Sequence, residues 1–423
     1  MILYLFFLIS VLVFGSFIAG PLTLRVWAVM VMFSYLLFSS INNPVYKKNK
    51  YISIYIVYIF FLFLAMSFNG DAETYGLRWI VANHVVSIIV FVSTYYVTMD
   101  NRQNRIDAII MTLILILVVN SLVTIAQYFN EPIGWAVSFF FLQGRNEDIV
   151  AFQEAYQSLE TLSGVARTPG IFDSSADNGI FLGSFGILPF YFIKRNNKLL
   201  SLLSITVIVL SLIACFMCQE RAAMLTLSAS VIYLGYKSMK NNVWSLLVAI
   251  FVLIILLYSI DFSSIEAGRF QDVGIDNSAR MSIWAYIDPF LSNNMLLGGA
   301  VQFMRLSGHI PHNIFLNAFV FGGLLGGITA TVLYFLFLIK GVKNVLSKKT
   351  NISNCAIALA FLSILTQSLV HNSSIVTGDV MTFLLFSLLF VSEEMTGINS
   401  NERMVTKKPF RKEYKYINKT IYG

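Results

Sequence analysis

Long apolar runs, each broken by a short polar stretch, recur from one end of the chain to the other, at roughly 1–20, 22–41, 51–68, 79–97, 107–129, 171–193, 199–218, 222–236, 243–260, 313–339, 355–372 and 378–391. Most approach the ~20 residues an α-helix needs to cross a hydrocarbon layer of ~30 Å. Inside that layer each backbone N–H and C=O needs an internal partner, so such runs become helices. A membrane β-barrel would need short segments of alternating polarity, whereas runs such as Val243–Ile260 are apolar on every face. The pattern predicts an all-α, polytopic integral membrane protein of about twelve transmembrane helices. Residues 1–391 read as a single transmembrane domain with two larger outer loops, 130–170 and 261–312, followed by a basic tail, 392–423. The first run lacks a basic n-region and a small-x-small cleavage site, so it reads as a retained first span.

Composition agrees: 57% of residues are hydrophobic and 12% charged, beyond what most soluble cores accommodate. The charges then sort by side. Lys47, Lys48 and Lys50; Arg102 and Arg105; Lys194, Arg195 and Lys198; Lys237 and Lys240; and Lys340, Lys343, Lys348 and Lys349 fall in every second connection, as cytoplasmic loops require. The tail, with Arg403, Lys407, Lys408, Arg411, Lys412, Lys415 and Lys419, belongs to the same side, which predicts that both termini are cytoplasmic. The net charge of +7 thus follows from topology and needs no nucleic-acid partner; the tail is suited to lie on anionic lipid.

The outer cations are all arginine: Arg25, Arg78, Arg145, Arg167, Arg221, Arg269, Arg280 and Arg305. Topology disfavours positive charge there, so these side chains persist against a bias. A guanidinium holds phosphate or carboxylate with a planar fork, where an ammonium is a point charge. The simpler alternative is that they pair with acids of the first outer loop, such as Glu147, Asp148 and Glu154.

Three outer segments concentrate polar chemistry. In the second outer loop, Asp276-Asn277-Ser278 offers a cap for a helix beginning at Ala279, with Pro289 expected to end it. Arg280 and Trp284 stand four apart on that helix, where the indole can hold the guanidinium. Arg305 follows, and Gly308-His309-Ile310-Pro311-His312-Asn313 runs straight into a span. The positive end of a helix favours neutral imidazole, which makes His312 a candidate general base; an interfacial histidine bonded to lipid or loop is the plain alternative. The second segment, Arg167 to Gly179, places Asp173 and Asp177 at helical spacing, and the third is the charged turn Gln219-Glu220-Arg221.

Other features read as packing. Cys215-x-x-Cys218 lies in an apolar helix with no second pair, so its thiols read as small buried hydrophobes. Ile149, Phe152, Tyr156, Leu159 and Leu162 form an apolar stripe on a possible loop helix, a structural element or a lid. Gly322-x-x-x-Gly326 and Gly323-x-x-x-Gly327 suggest a thin helix face for close packing.

Arg280-x-x-x-Trp284, Pro289, Gly298 and His312-Asn313-x-Phe315-Leu316 followed by Gly323-x-x-Gly326 resemble the signature block of the O-antigen polymerase and O-antigen ligase superfamily. Arg167-x-x-Gly170-Ile171-Phe172 and Gln219-Glu220-Arg221-Ala222 look like its two upstream landmarks, so the resemblance covers about residues 160 to 330. Two departures stand out: the turn usually reads Thr/Ser-Arg-Gly, whereas here Glu220 precedes and can pair with Arg221, and an Arg-x10-Gly motif is kept after neither Arg167 nor Arg280.

The resemblance implies a metal-independent, cofactor-free glycosyltransferase at the periplasmic face of a bacterial inner membrane, with an undecaprenyl-pyrophosphate-linked oligosaccharide as donor. Arg167, Arg221 and Arg280 would bind the pyrophosphate and His312 would be the base, supported by Trp284, Asn313, Arg305, His309 and Glu220. Membrane lipids, a chain-length regulator and a flippase are the partners implied. Polymerisation of repeat units is the expected activity, and ligation of the glycan to lipid A–core is the near alternative. A flippase or other transporter would instead place binding groups near the bilayer midplane on broken helices.

Overall fold

The computed structural model describes residues 1–14, 18–19, 22–42, 49–69, 77–99, 101–141, 167–193, 197–238, 279–347, 350–371 and 374–396. The expected ninth span, most of the first outer loop with its apolar stripe and Arg145, the stretch of the second loop that holds Arg269, and nearly all of the basic tail lie outside these residues.

Nearly everything described is helical. Helices α1 (Ile2–Leu12) and α2 (Leu24–Asn42) are joined through a two-residue antiparallel pairing, Ile18–Ala19 with Leu22–Thr23. Then come α3 (Lys50–Phe68), α4 (Leu77–Ile80), a π-helical turn (Val81–Val85), α5 (Val86–Thr98), α6 (Arg102–Tyr128) and α7 (Pro132–Phe141). The chain continues through α8 (Ser175–Phe185), a 3₁₀ turn (Leu188–Phe192), α9 (Lys198–Cys218) and α10 (Arg221–Ser238). After three short helices, α11 (Ala279–Trp284), α12 (Ile287–Asn294) and α13 (Ala300–Ser307), it ends in α14 (Ile314–Leu346), α15 (Ile352–Gln367) and α16 (Val380–Thr396).

Four of these helices, α3, α6, α9 and α14, are long and apolar enough to cross a membrane. The first expected span stops short, because α1 has 11 residues and covers only about 16 Å.

The outward faces carry apolar side chains: Leu199, Leu202, Leu203, Ile205 and Val209 on α9, and Leu325, Ile328, Val332, Phe335 and Ile339 on α14, are all exposed. Polar groups turn inward and find one another. Asn120 Nδ2 donates to Asn178 Oδ1 (2.7 Å), and Gln367 Nε2 donates to Ser184 Oγ (3.1 Å). A surface of this kind suits lipid, where an interior amide without a partner would be costly.

At the centre, α8 and α15 are buried on almost every face. Helix α15 packs against α16, α14, α10 and α8, its run of Ala356, Ala358 and Ala360 allowing close approach. The two ends of the bundle differ. At one, Arg102 pairs with Glu394 (3.0 Å) and buried Lys340 pairs with Glu393, its ammonium lying over the rings of Tyr51 and Phe390. The other end carries the turn after α9, the start of α14 and the end of α15, described below.

Two expectations about the chain near Pro289 and Gly323 are corrected. Pro289 opens a helix instead of ending one. It sits in the first turn of α12, where its missing N–H would have had no helical partner. The expected tenth span is also not a single straight rod. Gly323 adopts φ 57°, ψ −157°, a conformation essentially confined to glycine. The Phe315 ring centroid lies 5.0 Å from that of Tyr334 and 6.0 Å from that of Phe335. On a straight helix Phe315 and Tyr334 would stand about 28 Å apart, so the segment before Gly323 folds back along the segment after it. The broken ladder is re-satisfied by the α12–α13 link: Gly299 N donates to Val320 O (2.8 Å) and Leu324 N to Met295 O (2.7 Å). Asn69, at the end of α3, donates to Leu297 O (3.1 Å) and Gly298 O (2.9 Å), tying this link to the bundle.

A Cβ at Gly323 would run into the Leu296 carbonyl, whereas one at Gly326 would meet Tyr58 and the Ala318 carbonyl at an ordinary 3.8 and 3.9 Å. Gly323→Ala is therefore expected to destabilise the detergent-solubilised protein by at least about 2 kcal/mol. Gly326→Ala should be close to neutral, and thermal unfolding followed by size-exclusion chromatography reads the difference; equal midpoints would refute the fold-back.

Candidate functional site

The site is built around the corner where α15 ends. After Gln367 the chain turns through Ser368–Val370 to His371, and two carbonyls of that turn hold the start of α14. Ile314 N donates to Ser368 O (3.2 Å) and Asn313 Nδ2 to Leu369 O (2.9 Å). Asn313 Oδ1 at the same time accepts from Phe315 N (3.0 Å) and Leu316 N (3.2 Å), so one amide both caps α14 and anchors it to α15. On the other side of His312, the Pro311 carbonyl accepts the indole N–H of Trp284 (2.7 Å). His312 itself is half-buried and left-handed, with φ 52°, a conformation uncommon for a residue with a side chain. Such a backbone persists only where its neighbours over-determine it, and here Trp284 and Asn313 clamp it from both flanks.

The second wall is the turn between α9 and α10. Gln219 closes α9 in the left-handed conformation (φ 62°), which reverses the chain at once. Glu220 then turns inward and is 7% exposed, while Arg221, the first residue of α10, stands at the surface. Glu220 Oε1 accepts from Ser175 Oγ (3.4 Å), and Oε2 lies 3.7 Å from His371 Nε2. Gly179 makes the space: a Cβ there would come within 2.5 Å of the Glu220 Cβ.

The third wall is the stretch leading into α8. Thr168 Oγ1 donates to Met217 O (3.3 Å) and Cys218 Sγ to Ser175 O (3.3 Å), pinning this stretch to the end of α9. Arg167 is half-buried and near enough to Cys218 to act on it electrostatically, as Glu220 also does. Among the described residues its Nε is shielded from solvent and has no hydrogen-bond partner. Gln127 and Ser138 secure the same stretch through the Gly170 carbonyl (3.1 and 2.6 Å). Asp177 and Asp379 lie close enough to interact and serve as helix-start acceptors, from Ser174 Oγ (2.8 Å) and from Thr382 N (2.8 Å).

The expected residues are thus distributed unevenly. Trp284, His312, Asn313, Glu220, Arg221 and Arg167 all belong to segments that meet at this end of the bundle. Arg305 and His309 are exposed, and the hydrogen bonds that join the other segments do not reach their side chains. Arg280 lies in the first turn of α11, four positions before Trp284, and its side chain is outside the described residues. The indole N–H of Trp284 is bonded to the Pro311 carbonyl. Glu220, which the sequence allows to pair with Arg221, has a partner in His371. Sequence reasoning missed His371 as that partner; the available signal was that a carboxylate in an apolar turn must find a cation or donor, and few histidines lie on that side. Among the described residues, no group of three or more His, Cys, Asp or Glu side chains is placed to hold a metal ion.

Neither a protein-family model nor a curated protein matches the chain, so the family resemblance rests on the motifs quoted above.

Asn313 offers a direct test of the clamp. Asn313→Ala loses both the helix cap and the tether to Leu369, and is expected to cost about 1–2 kcal/mol. Asn313→Asp keeps the acceptor and should lose less. Hydrogen exchange of the amides around 312–316 should accelerate in the same order, and unchanged exchange in the alanine variant would contradict the anchoring role.

Proposed function

We propose that the chain is a surface-polysaccharide (O-antigen) polymerase, joining undecaprenyl-pyrophosphate-linked repeat units at the periplasmic face of a bacterial inner membrane. In this reading about twelve spans cross the bilayer, both termini are cytoplasmic, and the end bearing Arg167, Arg221 and His312 faces outward. The observation that carries the reading is the meeting of three segments far apart in sequence, each bearing a landmark of the family resembled, at one corner of the bundle.

The chemistry follows from those residues. The acceptor hydroxyl of one lipid-linked glycan attacks the anomeric carbon of another. The bond from that carbon to the pyrophosphate oxygen breaks, and its electron pair leaves with undecaprenyl pyrophosphate. His312 takes the hydroxyl proton. Negative charge grows on the leaving pyrophosphate, where Arg167, Arg221 and Arg280 supply fixed positive charge and forked donors. Among the described residues the buried Nε of Arg167 has no acceptor, which supports its assignment to an anionic ligand. A ligase would use the same donor and the same bond changes, differing in the acceptor. Membrane lipids, a chain-length regulator and a flippase complete the proposed partners.

Deleting the gene and complementing it with variants tests the proposal by gel analysis of the surface polysaccharide. With His312→Ala or Arg280→Ala, surface glycan is expected to stop at a single repeat unit. Loss of all surface glycan with long lipid-linked chains accumulating would identify a ligase instead. Arg280→Lys should fail nearly as fully as the alanine variant, because an ammonium cannot reproduce a bidentate contact. Normal chain lengths in both His312→Ala and Arg280→Lys would overturn the proposal.

A further inference from the structure

We infer that Glu220 and His371 form a latch that holds the arginine-bearing turn in register with the His312 segment, making them positioning residues for the transfer proposed above; the inference rests on that reading for its catalytic consequence. Three observations converge on it. First, Glu220 is a buried acid in a two-residue turn, its carboxylate lying between Ser175 and His371 in a slot opened by Gly179. A glutamine or an apolar residue would fill that slot without bringing a carboxylate out of water, so the acid is there for its charge. Second, His371 follows directly on the α15 corner whose carbonyls hold Ile314 N and Asn313 Nδ2. The contact therefore reaches the His312 segment in one step. Third, α15 is buried along nearly its whole length, so the corner is carried by a rigid helix and not by a free loop.

The geometry gives adjacent residues opposite tasks. Glu220 faces inward to the latch, and Arg221 faces outward beside it. Fixing the first fixes the second, since the Gln219 reversal leaves no slack between α9 and α10. The Glu220–His371–Leu369–Asn313 path links the Arg221 turn to the His312 segment.

The test uses the full-length protein in proteoliposomes with Glu220→Gln, His371→Gln and the double variant. Two readouts are taken. Hydrogen exchange reports registration without any assumption about activity: Glu220→Gln is expected to speed exchange of the 312–316 amides, and His371→Gln that of the 219–223 amides, each about fivefold or more. In polymerisation of a lipid-linked repeat, each single variant should lower kcat about tenfold to a hundredfold while KM for the donor stays nearly constant, as misplacement of a bound substrate's partners requires. The double variant should be no worse than the poorer single one, because one latch is lost once. Exchange changes confined to the mutated segment, or a double variant whose loss is the product of the two singles, would overturn the latch. If the wild-type protein makes no polymer, the proposed function fails and the exchange readout still decides the latch.

Discussion

A helix that stops partway through a bundle leaves amides and carbonyls that hydrocarbon cannot solvate, and this constraint organises the whole molecule. Several elements end inside the bundle: α14 breaks at Gly323, α15 ends at Ser368, and α8 yields to a 3₁₀ turn at Leu188. Each interruption is tolerated because another segment supplies the missing partner. Met295 O and Gly299 N complete the break at Gly323, and Asn313 and Ile314 take up the carbonyls that α15 leaves open. The site corner is one place where such repairs meet, so polar groups collect there for structural reasons before any chemistry is asked of them.

That origin explains the character of the site. Its side chains are held by groups that are themselves fixed: Trp284 by the clamp on Pro311, Asn313 by both ends of its amide, Glu220 by a slot that only glycine can leave open. A strained His312 between two such anchors loses little further freedom when it meets a ligand, which is the property preorganisation requires. The opposite end of the bundle is built differently. There Lys340 and Glu393 neutralise one another under aromatic cover, while Arg105 and Ser353 donate to the Val97 and Tyr191 carbonyls.

Much of the helical framework was legible in the sequence, because apolar runs such as 51–68 and 199–218 have a single stable form in lipid. Asn313 was singled out with the His312 motif, though not as the cap it forms by accepting from Phe315 N and Leu316 N. The fold-back at Gly323 was not. The glycine spacing there is equally compatible with close helix packing, and only the distant contact between Phe315 and Tyr334 tells the two apart. Pro289 was misread because proline both ends helices and begins them, and here it falls in the first turn of the helix that opens at Ile287. His371 and Glu220 lie far apart in the chain, and no local pattern announces a contact that exists only once α8, α10 and α15 have packed.

The fold-back also has a bearing on how the protein is made. Residues Asn313 and Ile314 leave the ribosome well before Ser368 and Leu369, the carbonyls to which they bind in the finished structure. Until α15 is in place the start of α14 lacks those two acceptors, although Trp284 and Gly299, made earlier, already hold the Pro311 and Val320 carbonyls. The fold-back itself rests on partners synthesised first, and only the tether at Asn313 waits for the end of α15. In order of synthesis, the corner that carries His312 is therefore the last part of this hairpin to be tied down.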